Sequence, residues 1–174
     1  IEKALKKEMT EDIYYRMVGD KTASLFSASC EIGAITANAT TEYQNAMKIF
    51  GEKLGIAFQI RDDLFDIMGT VDATGKPVGF DVKKNMLTLP LIYMFEMVGN
   101  DKKKSLQRKL KQHASRKDIR SIRILIELHG GIKYATEQME RISQEALDEL
   151  SIFPDSEYKD ALMAVVQFNL RRES

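Results

Sequence analysis

The sequence predicts an all-α protein, and three observations predict it. Only 3 prolines and 10 glycines punctuate 174 residues, alternating runs of β-branched residues are scarce, and apolar residues recur at helical spacing along most of the chain. With 44% hydrophobic and 30% charged residues the chain is globular, and a domain of this length buries about 70% of its unfolded surface. A mean hydropathy of -0.30, with no unbroken apolar run of about 18 residues, argues against a membrane span. Lys plus Arg and Asp plus Glu each number 26, so the net charge is +0. The overall electrostatic pull of a nucleic-acid binder is therefore missing, and any anion site must be local. The single cysteine, Cys30, can form no internal disulfide; its small and apolar neighbours fit quiet packing in a helix and a reducing, cytoplasmic setting.

The elements follow in order. The chain opens at Ile1 without an initiator Met, and Ile1 to Leu5 reads as the inside of a helix, so the expectation is a fragment. Thr10 followed by Glu11 and Asp12 reads as a helix start with acids in its first turn. Gly19 and Asp20 are expected to interrupt it before Lys21-Thr22 and a run of small residues (Ala23, Ser24, Ser27, Ala28, Ser29, Gly33, Ala34) reaching Ala39. That second helix is narrow enough for a neighbour to approach closely. Thr41 with Gln44 has the pattern of a capping box, and Tyr43, Met47, Phe50, Leu54, Ala57, Phe58, Leu64 and Phe65 carry a long core helix up to Gly69.

Between Gly69 and about Met86 the composition changes to Gly75, Gly79 and Pro77 with Asp72, Lys76, Asp81, Lys83 and Lys84. A loop of that length inside a compact domain is functional or disordered. Thr88 starts the next helix, with Pro90 tolerated in its first turn and Gly99-Asn100 ending it. Beyond it the pattern gives a basic amphipathic stretch from Lys102 to Gln112, a helix ending at Gly130-Gly131, a helix to about Leu150, a break at Pro154, and a last helix carrying Tyr158, Leu162, Val165, Val166 and Leu170. No repeat or linker appears, so residues 1–174 read as a single all-helical domain.

The residues with chemical character centre on Phe58-Gln59-Ile60-Arg61-Asp62-Asp63-Leu64-Phe65-Asp66. On a helix Asp62 and Asp66 are one turn apart and Asp63 lies on the next ridge, so the spacing predicts three carboxylates on one patch. They repel one another by roughly 0.2–0.5 kcal/mol per pair on an exposed helix, and by more among Phe58, Leu64, Phe65 and Ile67. A divalent cation would remove that repulsion; so would solvent around an acidic helix end, and the spacing leaves both readings open. Hard oxygen ligands without His or Cys suit Mg²⁺ shared with substrate phosphates. Lys21-Thr22 at the head of a helix, where backbone N–H groups favour phosphate, and Lys76 beside a glycine in the following loop place cations around the acids. Acid on one side and Lys on the other is the layout of a metal-bridged diphosphate site. Phe26, Phe58, Phe65 and Met68 read as ordinary core. His113 and His129 are not needed as bases: one lies in a solvated basic stretch, the other at a helix C-terminus. Arg171-Arg172 reads either as a segment folded over a diphosphate or as a frayed tail.

Taken together, Lys21-Thr22, Phe58-Gln59, Asp62-Asp63-Leu64-Phe65-Asp66, Gly75-Lys76-Pro77-Val78-Gly79-Phe80-Asp81, Thr88-Leu89-Pro90 and Gly130-Gly131-Ile132 with Tyr134-Ala135 resemble the trans-isoprenyl (polyprenyl) diphosphate synthases across nearly the whole chain. The resemblance implies an isoprenoid-synthase-like helical bundle around an apolar cavity, Mg²⁺ dependence and a homodimer. It implies condensation of isopentenyl diphosphate with an allylic diphosphate. Asp62, Asp63 and Asp66 would be the second aspartate-rich motif that binds Mg²⁺, Lys21 and Lys76 would hold diphosphate oxygens, and Thr22 and Gln59 would sit beside the allylic carbon. Two departures bear on this. The family's first aspartate-rich motif belongs to a preceding half that this sequence does not contain, so the chain reads as a C-terminal half that is inactive alone. Many members also carry a Lys where this chain has Met86; Lys83 or Lys84 could reach over in its place. A non-catalytic helical partner of a prenyl synthase and a related terpene cyclase are the alternatives.

Overall fold

The computed structural model describes residues 10–68, 88–111 and 115–172. Among them are eight α-helices and no strand: α1 (Glu11–Val18), α2 (Ser24–Thr36), α3 (Thr41–Met68), α4 (Leu89–Met97), α5 (Asn100–Lys111), α6 (Arg116–Leu128), α7 (Gly131–Glu149) and α8 (Glu157–Arg171). A π-helical turn, Gly19–Ala23, joins α1 to α2, and a 3₁₀ turn, Leu150–Ile152, follows α7. The described residues divide into two compact units, one of 10–14, 62–68, 88–111 and 115–136, the other of 15–61 and 137–172.

In the first unit, α4 is apolar apart from the exposed Glu96 near its end, as a helix largely enclosed by others is, and its Leu91, Met94 and Phe95 form the core with Ile67, Val98, Leu106, Leu110, Ile122 and Ile126. Thr88 caps it with extended backbone, and Pro90 sits in the first turn, where the missing N–H costs nothing. A capping box that the sequence reading did not single out starts α6: the Asp118 N–H donates to Ser115 Oγ at 3.2 Å while the Ser115 N–H donates to an Asp118 carboxylate oxygen at 3.1 Å. His129 ends α6 as its C-terminal cap, followed by Gly130 at φ 77°. At Gly131 a Cβ would lie 2.4 Å from the Pro90 carbonyl oxygen. That close approach requires glycine, and it ties the Gly-Gly pair to the Thr-Leu-Pro segment.

The core of the second unit is Phe50, Leu54, Ala146, Leu150 and Val166, with Phe26, Cys30 and Met47 packed against it. Burial pushes the Cys30 thiol pKa up, as quiet packing demands. The narrow face expected of the second helix meets an equally narrow face on α3, because a Cβ at Gly51 would lie 2.5 Å from the Phe26 carbonyl oxygen and one at Gly55 would lie 2.6 Å from Ala23 Cα. Ser27 Oγ fastens the same contact by donating to the Lys48 carbonyl at 3.0 Å.

Two expected boundaries move. The small-residue helix ends at Thr36 and not near Ala39, because Asn38 takes the left-handed conformation (φ 54°) and the Ala39 N–H turns back to the Ala34 carbonyl. The cap of α3 is Thr40 rather than Thr41: Thr40 Oγ1 accepts from the Tyr43 N–H at 3.4 Å, and the Gln44 amide reaches back to the Ala39 carbonyl at 2.8 Å.

Candidate active site

In the second unit the site begins at the π-helical turn Gly19–Ala23. The expected break at Gly19-Asp20 does not occur. The chain winds through it with one residue too many for an α-helical turn, and the Ser24 N–H donates to the Gly19 carbonyl. Lys21 and Thr22 therefore do not stand at an open helix N-terminus, where unsatisfied backbone N–H groups would favour phosphate. What the wide turn does instead is present Thr22 to α3: Thr22 Oγ1 donates to Gln59 Oε1 at 2.9 Å, in half-buried surroundings. The bond orients the Gln59 amide with its oxygen toward the threonine. Lys21 is exposed.

In the first unit the final turns of α3 carry Asp62, Asp63 and Asp66. They do not share one face equally. Asp63 is buried, 5% exposed, and accepts a hydrogen bond of 2.7 Å from the hydroxyl of Tyr14, itself 1% exposed. Asp62 and Asp66, one turn apart, are half-buried. The predicted patch of three thus becomes two carboxylates on the outer ridge and one turned inward, since Asp63 is rotated about 100° from Asp62 around the helix. Among the described residues no group of three His, Cys, Asp or Glu side chains comes together as a ready-made metal cage. Two half-buried carboxylates on a rigid helix, with no nitrogen or sulfur donor, suit a hard cation that takes its remaining ligands from water and phosphate, which is how Mg²⁺ is held.

Lys76, with Gly75 to Asp81, Lys83, Lys84, Met86 and His113, lies outside the described residues. The aromatic and Met positions expected in the core are less buried than that: Phe26, Phe58 and Phe65 are half-buried and Met68 is 50% exposed. A surface cavity of about 520 Å³ in the second unit is bordered by Tyr15, Arg16, Gly19, Asp20, Lys48 and Glu52, and Lys21, Thr22 and Gln59 are not part of its lining.

Sequence reading missed Tyr14 and the contacts of Arg61, Arg172 and Tyr134. Tyr14 lies 49 positions before Asp63, and no local spacing joins them. Arg61 donates from Nε (3.1 Å) and from Nη2 to the Arg172 carbonyl, and the Arg172 guanidinium lies 4.3 Å above the Phe58 ring. Arg172 is therefore packed and not frayed. Tyr134, quoted for its motif, stacks on Tyr93 with centroids 4.1 Å apart and donates to the Glu11 carboxylate at 2.7 Å.

Three comparisons with known proteins agree. The family model described as polyprenyl synthetase matches residues 1–126. An octaprenyl diphosphate synthase of Haemophilus influenzae is 33% identical over 166 residues, which is 95% of this chain and 50% of that protein. Among solved structures, geranylgeranyl pyrophosphate synthetase from Pyrococcus horikoshii superposes with a TM-score of 0.88 at 33% identity, covering 98% of this chain and 52% of that one. A polyprenyl synthase from Caulobacter crescentus, complexed with calcium and isoprenyl diphosphate, superposes with the same TM-score of 0.88 at 28% identity, covering 95% of this chain and 51% of that one. This chain spans about half the length of the relatives it matches.

Proposed function

The chain belongs to the polyprenyl synthetase family, and from that premise we propose that it supplies the C-terminal half of a Mg²⁺-dependent prenyl transfer site. In the proposed reaction the C–O bond of an allylic diphosphate breaks, its electron pair leaving with the diphosphate. The C=C bond of isopentenyl diphosphate then forms the new C–C bond to the allylic cation, and a proton is lost to restore the alkene. The observation that carries this reading is the division of labour at the end of α3, where Tyr14 holds Asp63 inward while Asp62 and Asp66 stay on the outer ridge.

The hard step is charge separation in an apolar surrounding, so the groups that matter are those meeting charge as it develops. Mg²⁺ held at Asp62 and Asp66 would supply positive charge against the leaving diphosphate. Asp63 and Tyr14 fix the helix that presents the two outer acids. Lys21 and Lys76 bind diphosphate oxygens, and the oxygens of Thr22 and Gln59, already set against each other at 2.9 Å, offer lone pairs beside the carbon that becomes cationic. The apolar helices exclude the water that would quench it. The same reading makes the working form a homodimer in the cytoplasm; among the described residues no helix is long and apolar enough to cross a membrane.

Calcium with isoprenyl diphosphate in the Caulobacter relative supports a divalent-cation and diphosphate site in this one. The test is incubation of the full-length protein with isopentenyl diphosphate, an allylic diphosphate primer and Mg²⁺. Elongated prenyl diphosphate is the expected product. A cyclised hydrocarbon, or inertness until a second subunit is added, would replace the proposal with a cyclase or a partner subunit.

A further inference from the structure

One contact in the second unit has no place in that scheme. Arg61 directs two of its donors, Nε and Nη2, at a single acceptor, the carbonyl of Arg172. Arg172 is the residue at which α8 ends, and its own N–H closes the final turn on the Phe168 carbonyl at 2.8 Å. Its guanidinium lies 4.3 Å above the ring of Phe58, whose other aromatic neighbour is Phe26 at 5.5 Å. Phe58 directly precedes Gln59, which Thr22 holds. The arginine fork, the chain end and the ring thus form one connected series ending beside the Thr22–Gln59 pair.

The final turn of α8 needs such a hold. Asn169 is only 3% exposed, and among the described residues neither its amide nitrogen nor its amide oxygen finds a partner. A buried amide left unsatisfied favours any motion that brings it to water. Most of α8 lies open, with Phe168 at 68% and Val165 at 49% exposure, and Val166 is its completely buried apolar anchor. A helix end with few buried contacts opens easily unless something ties it down.

We propose that Arg61 is a positioning residue that clasps the end of α8 onto α3, holding the Arg172 guanidinium over Phe58 and so keeping the ring beside Gln59 in one place. The kinetic part of this inference rests on the prenyl transfer proposed above; the structural part does not. The test is hydrogen exchange and steady-state kinetics on the full-length protein and its Arg61→Ala, Arg61→Lys and Arg172→Ala variants. In Arg61→Ala the amides of residues 166–172 should exchange about tenfold faster or more while those of α7 do not change. Lys keeps one donor, so Arg61→Lys should recover most of the protection. Arg172→Ala keeps the backbone carbonyl and hence the tether, so its exchange should stay within about threefold of the parent. Both Ala variants release the ring, and both should lower kcat by a similar factor, roughly fivefold, with the KM for the allylic primer within about twofold.

Unchanged exchange in Arg61→Ala overturns the clasp. Altered exchange with parental kcat in both Ala variants overturns the positioning role. If Arg61→Ala does not fold, Arg61→Met, which keeps the stem and removes both donors, is measured in its place and is read by the same criteria. Should the parent protein make no prenyl product, the proposed function fails while the exchange data still decide the clasp.

Discussion

Two stretches of α3, three residues apart in sequence, treat their polar groups in opposite ways. At Gln59 the groups are neutral, and Thr22 and Gln59 orient each other through one bond of 2.9 Å. At Asp62, Asp63 and Asp66 the groups are charged, and a tyrosine hydroxyl engages the one that is buried. A neutral pair can be completed inside the fold. Like charges on neighbouring turns repel one another, and a bound cation is one thing that removes the repulsion. The two stretches should therefore answer differently to substitution, one through the chemical step with little else, the other through chemistry and stability in opposite directions.

The largest difference is expected at Asp62. In the full-length protein Asp62→Ala should lower turnover about 10²-fold or more, because a well-placed contact to developing charge contributes roughly 3–4 kcal/mol to the barrier. The same change removes a like-charge neighbour of Asp66, so without Mg²⁺ the variant should melt at the parental temperature or slightly above it. A loss of turnover under threefold would remove Asp62 from the metal-binding proposal. A large loss of stability would make it a structural acid like Asp63.

Asp63 and Tyr14 should behave in the reverse sense. Tyr14→Phe keeps the ring and deletes only the hydroxyl that donates to Asp63 at 2.7 Å. Depriving a buried carboxylate of its donor costs about 1–3 kcal/mol, which urea denaturation reads directly. A change in stability below about 0.3 kcal/mol would mean that the bond does not hold Asp63 inward. For the neutral pair the expectation is smaller. Thr22→Val preserves shape, should lower stability by no more than about 1 kcal/mol, and should give a roughly fivefold fall in kcat.

How far the sequence could be read follows the same division between local and distant. Helix existence was legible because a period of 3.6 residues is a local property: the described helices lie in stretches that apolar spacing marks, and the Gly130-Gly131 stop is in place, whereas the end of α2 and the cap of α3 moved. The acidic residues were legible as candidates for the same reason and Thr22 with Gln59 through the family resemblance, and the bond between the latter two joins motifs 37 residues apart in sequence. What could not be read was set by contacts between segments. The π-helical turn was invisible because Gly19-Asp20 reads as a stop in isolation, whereas the close approach of Gly55 to Ala23 keeps that segment helical against α3. Nothing near Asp63 announces Tyr14, so the inward rotation of one acid out of three required the packed structure. Arg172 could not be assigned between a segment folded over a diphosphate and a frayed tail, because its tether comes from a residue 111 positions away.

The smallest effect extends the comparison to an acid that the fold does complete. Glu145 on α7 takes an ion pair of 2.5 Å from Lys53 on α3 and a second contact from Arg141. The hydrogen bond from Lys53 holds its carboxyl below the ordinary glutamate range, with the charges of Lys53 and Arg141 adding to it against desolvation. A carboxyl depressed in the folded state stabilises the fold at pH values above its unfolded pKa, and that contribution is lost as pH falls through the depressed folded value. Both side chains are 33% exposed, so solvent screening limits the pair to about 1 kcal/mol. Lys53→Met should therefore lower the melting temperature by about 2–4 °C near pH 7, and the gap from the parent should close as the pH drops below about 4. Because Lys53 takes no part in the proposed chemistry, turnover at neutral pH and moderate temperature should not change. A gap that persists unchanged to pH 2 would show that the lysine stem, and not its charge on Glu145, is what stabilises this contact between α3 and α7.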